Sequence, residues 1–194
     1  MIVIPTVNEQ EFEKAERRIS LLTETAKWIQ VDVADGILTP GKSFELELLS
    51  RVEGEFLWDI HLRVKEPIKW VEKCVFVGGS RMIGQVELMT DREAFVERVK
   101  DEGMEAGLGF DIETKIGEIP TDTDMVLLMA RKAGFEERPF EETIYEKIIE
   151  VKKMGFRVGV DGGVNYSNFG KLKDMGVDMI YSGDSYFELI NANK

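Results

Sequence analysis

The sequence predicts an α/β protein, a compact (β/α)8 barrel of the TIM type formed as one domain over residues 1–194. Three observations lead there. Short β-rich segments alternate with amphipathic helical ones from end to end, the order expected of a parallel sheet. The strands alternate with period two and carry polar or small residues on one face near their C-terminal ends. No Pro/Gly/Ser-rich linker or shift in composition divides the chain. An open doubly wound sheet, covered by helices on both faces, calls for near-continuous apolar strands instead. Such barrels run to about 250 residues with a lower limit near 200, so this is a pared-down example.

Eight strands are expected, at about Ile2–Thr6, Trp28–Ala34, Glu55–Val64, Arg81–Leu88, Glu105–Ile112, Met125–Ala130, Arg157–Asp161 and Met179–Gly183. Between them, Glu9–Thr23, Asp91–Asp101 and Thr143–Met154 place apolar residues near i, i+3, i+4 spacing, and Gly103, Gly155 and Gly176 stand where helices stop. The stretch from Ile116 to Thr123 is too short for a full helix, which predicts an abbreviated fifth crossover. The alternation groups Gln30 with Asp32, His61 with Arg63, Gln85 with Glu87, Gly107 and Gly109 with Asp111, and Gly159 with Asp161. In a closed barrel these face inward, and at the C-terminal rim inward residues form the active site.

A net charge of −12 argues against nucleic acid or an anionic membrane as partner. It leaves a phosphate ligand open, because backbone N–H groups can hold one locally. The apolar runs are far shorter than a membrane span, and MIVIPTV leads into a charged helix, so no transmembrane or secretory segment is expected and a cytoplasmic location is. The single cysteine, Cys74, lies in an apolar stretch and reads as core packing. Met125 to Met129 reads as core filler, and the run Glu136-Glu137-Arg138 as a solvated face.

Four stretches carry a resemblance that spans nearly the whole chain: Trp28-Ile29-Gln30-Val31-Asp32-Val33-Ala34-Asp35-Gly36, Asp59-Ile60-His61-Leu62, Met125-Val126-Leu127-Leu128-Met129 with Ala133-Gly134-Phe135, and Val160-Asp161-Gly162-Gly163-Val164. In order and spacing they resemble the ribulose-phosphate 3-epimerase family. The resemblance implies a barrel that moves a proton next to the carbonyl of a ketose phosphate. Asp32 and Asp161 would be acid and base, and His61 would join them in holding a divalent ion, Mn²⁺, Mg²⁺ or Zn²⁺. Phosphate would lie on Gly162, Gly163 and Gly183. Such barrels are commonly oligomeric, which directs attention to Ile144, Ile148 and Val151 as an exposed face.

The chain also departs from the family pattern. A family histidine is replaced by Gln30, a second by Gln85, a serine by Asp184, and a methionine by Arg63. Gln is a poor zinc ligand, and a carboxylate at Asp184 would repel phosphate unless it turned away. Arg63 could neutralise the carboxylates in a metal's place, bind an anionic ligand, or form a structural ion pair. For Asp161 the alternative to function is a turn cap, and for His61 a hydrogen-bonded core residue. Glu87 and Asp111 either add to an acidic mouth or face cations from loops. The readings left standing are an epimerase, a barrel that binds a ligand or partner without catalysis, and an enzyme acting on a less anionic substrate.

Overall fold

The computed structural model describes residues 1–135 and 137–193, so Glu136 of the charged run lies outside the described residues. Eight parallel strands close in sequence order: β1 (Ile2–Val7), β2 (Trp28–Ala34), β3 (Leu57–Arg63), β4 (Gly79–Gln85), β5 (Glu105–Phe110), β6 (Met125–Met129), β7 (Arg157–Asp161) and β8 (Met179–Ser182). The seam is β8 on β1, with Val3 opposite Ile180 and Pro5 opposite Ser182. Closure is what gives the alternation its meaning, since one face of every strand then shares a single interior.

The outer faces bury against the helices α1 (Phe12–Leu22), α2 (Val71–Phe76), α3 (Arg92–Asp101), α4 (Ile144–Lys153), α5 (Tyr166–Asp174) and α6 (Tyr186–Ala192). Phe12, Ala15, Ile19 and Leu22 form the buried stripe of α1, at the spacing of one helix face. Asp91 caps α3 by accepting from the Ala94 N–H at 3.0 Å, and Asn165 and Asn168 form a capping box on α5. Gly103, Gly155 and Gly176 follow their helices at φ +76°, +88° and +73°, the left-handed turn that glycine adopts without a Cβ clash.

The differences from the sequence expectations have local causes. The fourth strand stops at Gln85 and a 3-10 turn, Val86–Leu88, follows, so Glu87 leaves the pleat. The α1 helix begins at Phe12 because Glu11 is still extended (φ −112°, ψ 130°). Residues 111–124 contain no helix, as the short fifth crossover required; Lys147 clamps them through bonds to the Asp111 and Thr114 carbonyls at 2.7 and 2.5 Å. The second crossover has only a 3-10 helix, Leu46–Arg51. Ile144, Ile148 and Val151 are not an exposed face: all three are fully buried against the barrel, because the apolar stripe of α4 is the side that packs inward. Cys74 is buried, and burial pushes its thiol up to about 12, away from nucleophilic character.

Inside the barrel a smaller apolar cluster includes Ile4, Ile83, Met125, Leu127, Met179 and Tyr181. Below it, Arg81 lies 4.3 Å over the Trp28 ring and bonds Asp59 Oδ2 at 2.8 Å and Glu105 Oε2 at 2.7 Å, closing the floor. Asp32, His61, Arg63 and Asp161 stand at the opposite, C-terminal end.

Candidate active site

Four of the residues singled out in the sequence converge there. Asp32 is the fifth residue of β2, and the strand register sets it directly beside His61 of β3. Arg63 follows His61 by two residues on the same face, and Asp161 ends β7. Asp32, His61 and Arg63 are buried and Asp161 is half-buried. Asp32, Arg63 and Asp161 line a cavity of about 390 Å³.

His61 is fixed on both sides. Its Nδ1 lies 2.7 Å from Asp32 Oδ1, and its Nε2 lies 3.3 Å from Gln85 Oε1. The Gln85 amide is oriented from behind, donating from Nε2 to Glu87 Oε2 at 3.1 Å. Its oxygen therefore faces His61, and each ring nitrogen has an oxygen within hydrogen-bond reach. Glu87 also accepts from the Asp111 N–H at 2.8 Å, and Asp111 accepts from the Ala133 N–H at 3.2 Å. These two acids hold backbone and Gln85 in place and do not line the mouth.

Asp32 and Asp161 titrate apart. Burial alone would raise Asp32, but the Arg63 charge and the His61 hydrogen bond outweigh it and hold the carboxyl below its ordinary value. Asp161 is pushed up to about 6, first by burial and then by the charge on Asp32. Two carboxyls whose environments separate them in this way suit proton exchange, one ionised and one able to hold a proton near neutral pH.

The glycine turns lie on the other side of the cavity. Gly162 (φ +102°) passes so near Arg131 that an added Cβ would stand 2.8 Å from Arg131 Cγ, and Gly163 (φ +70°) packs against Phe140. Gly183 lies under the Arg18 guanidinium. The side chain of Asp184 is exposed, with its oxygen 3.6 Å from Arg18 Nη2, and the residue lines the same cavity as the glycines. Asp35 accepts from the Ile37 and Lys65 N–H groups and serves as a turn former.

Sequence reasoning missed Arg18 and Arg131, which line the cavity beside the glycines. Arg18 sits on α1 and its alternation says only that it is polar; its reach toward β8 follows from the β8–β1 seam. It also missed the floor network, in which Asp59 receives hydrogen bonds from Arg81 and from Tyr181 Oη, both at 2.8 Å.

A family model described as the Ribulose-phosphate 3 epimerase family matches residues 2–187. The chain belongs to the ribulose-phosphate 3-epimerase family. Among curated relatives, the ribulose-phosphate 3-epimerase of Escherichia coli K12 is 26% identical over 200 residues, covering 96% of this chain and 89% of that one. The Encephalitozoon cuniculi ribulose-phosphate 3-epimerase is 28% identical over 161 residues, covering 82% and 74%. Solved structures agree in fold: a tryptophan synthase α-subunit of Pyrococcus furiosus superposes with a TM-score of 0.70 at 16% identity, covering 98% of this chain and 90% of that one. Phosphoribosyl anthranilate isomerase of Thermus thermophilus gives 0.70 at 13%, covering 95% and 88%. The relatives' epimerases are isomerases acting on carbohydrates, and the barrel expected from the strands is the barrel observed.

Within this family a divalent ion is the general rule, and Asp32, His61 and Asp161 offer ligand atoms within 4.8 Å of one another. Their spacing would admit an ion; their chemistry does not fit one. Both His61 nitrogens are engaged, and the Arg63 cation already stands 3.8 Å from Asp32 Oδ2. A ligand position the family fills with histidine is Gln30, whose two amide atoms are buried with no hydrogen-bond partner in the structure. A fixed cation among the ligands opposes a second one, since like charges at short range cost several kcal/mol in a site screened from water.

Proposed function

We propose that this chain is an epimerase acting on a ketose phosphate, with Asp32 and Asp161 exchanging a proton at the carbon next to the carbonyl. The observation that carries the proposal is the pair itself: two carboxyls at the rim, on β2 and β7, one held low and the other raised to about 6. One aspartate removes the proton, the electron pair moves into an enediolate, and the other aspartate returns a proton to the opposite face. Family membership supports the reaction type, and the cavity supports the substrate class. Its glycine turns at Gly162, Gly163 and Gly183 and the cations Arg18 and Arg131 favour a phosphate at one end, and Arg63 lies at the other.

The test is proton exchange into D-ribulose 5-phosphate followed by NMR in deuterated water. Exchange at the substrate carbon, lost by at least ~100-fold in Asp161→Asn as expected for removal of a positioned acid or base, supports the reading. A folded protein that binds the sugar phosphate without exchange would leave a binding protein, and one that neither binds nor exchanges would point to a different, less anionic substrate.

A further inference from the structure

Among the described residues the barrel holds two buried arginines, Arg63 and Arg81, and they are used differently. Arg81 at the floor meets Asp59 and Glu105 at 2.8 and 2.7 Å and also donates to Tyr181 at 3.1 Å, so its donors are spent on protein groups. Arg63 at the mouth is 5% exposed, but its nearest carboxylate oxygen, Asp32 Oδ2, stays at 3.8 Å, beyond hydrogen-bond distance. One nitrogen, Nη2, donates to Asn8 Oδ1 at 2.6 Å, which anchors the group, and its Nε is buried with no partner. A purely structural ion pair in this interior would close to contact, as Arg81 does. Arg63 instead keeps its charge short of contact with Asp32, in the lining of the cavity it shares with both carboxylates.

We propose that the Arg63 guanidinium does the electrostatic work of the divalent ion in this chain: it balances Asp32 and Asp161 and receives the oxygen that becomes negative in the reaction, so that exchange needs no bound metal. This rests on the epimerase reading above. When one aspartate takes the proton from the carbon, the C–H pair forms the C=C bond and the carbonyl π pair moves onto oxygen. Arg63 N–H groups hydrogen-bond that oxygen and keep their own protons, because guanidinium does not deprotonate in proteins. The other aspartate then delivers a proton to carbon from the far side, the carbonyl re-forms, and one proton has been removed and one returned. Donors set in place before charge develops are the most effective kind.

The experiment pairs exchange with metal binding. Wild type, Arg63→Met and Arg63→Lys are stripped with EDTA, checked for folding by circular dichroism, and assayed with ribulose 5-phosphate in deuterated water with and without Mn²⁺. Each is also titrated with Mn²⁺ alone and followed by electron paramagnetic resonance. The expected result is wild-type exchange unchanged within about twofold by EDTA or Mn²⁺, a loss of about 10²–10³ in Arg63→Met, partial retention in Arg63→Lys, and stoichiometric Mn²⁺ binding by Arg63→Met but not by wild type. Exchange that requires Mn²⁺, or one tightly held Mn²⁺ in wild type, overturns the inference and leaves the epimerase reading intact. No exchange under any condition removes the epimerase reading instead. The role of Arg63 as the resident cation is then decided by the titration: Mn²⁺ bound only by Arg63→Met upholds it, and equal behaviour of the two proteins overturns it.

Discussion

Gln85 Oε1 occupies the space that a Cβ on Gly109 would fill, so the glycine on β5 is what lets the glutamine on β4 reach His61. A Cβ there would also come within 3.5 Å of His61 Nε2. Gly109→Ala should therefore displace Gln85 and release the His61 ring. We expect a loss of about 1–3 kcal/mol, typical of overpacking a filled interior, read from urea midpoints, and a fall in exchange activity. Unchanged stability and activity would show that the Gln85 amide has room to move.

Asp161 gives a pH dependence of definite sign. Its folded-state value of about 6 lies above the ordinary 3.8, so the folded protein binds the extra proton between those values and loses that contribution as pH rises through about 6. Asp161→Asn should match wild type near pH 4 and exceed it above pH 7. The gain should be on the order of 1–2 kcal/mol, allowing for partial solvent screening of a half-buried group. Urea unfolding of both proteins at the two pH values checks this, and a variant less stable at high pH contradicts it. Under the proposed mechanism the active form carries one proton on the aspartate pair, so kcat/KM should decline above about pH 6.

The floor network predicts a strongly non-additive pair. Arg81→Met leaves Asp59 charged and fully buried without its partner, and should cost about 3–5 kcal/mol. Burial already pushes the Asp59 carboxyl upward against the pull of Arg81 and Tyr181, so the single variant should be partly rescued at low pH. The double variant Asp59→Leu/Arg81→Met should recover much of the loss, because an apolar pair needs no counter-charge. Additive losses would mean that Asp59 and Arg81 are not energetically coupled, which contradicts the reading of the floor as one network.

Arg18 offers a test of the phosphate side. It lies over Gly183 and is only weakly paired, at 3.8 Å to Glu9 and 3.6 Å to Asp184. Arg18→Met should raise KM for ribulose 5-phosphate by about tenfold with kcat little changed, the signature of binding shared by ground and transition states. A change in kcat alone would place the phosphate elsewhere.

The residues themselves determined a good deal. Strand pleating is local, so alternation in Gln30-Val31-Asp32 and Ile60-His61-Leu62-Arg63 was enough to say which side chains enter the interior, and that Asp32, His61 and Arg63 share it. The short fifth crossover was legible for the same reason, as too few residues for a helix. Distances across the barrel were not, because they depend on closure. Tyr181 reaches Asp59 from 122 residues away, Arg18 meets the turn after β8 only through the β8–β1 seam, and whether Arg63 would close on Asp32 or be held off by Asn8 was settled by packing. The direction of the α4 stripe also needed the barrel: Ile144, Ile148 and Val151 show one apolar face in sequence, and only the tertiary structure turns it inward, since burying it there removes it from water.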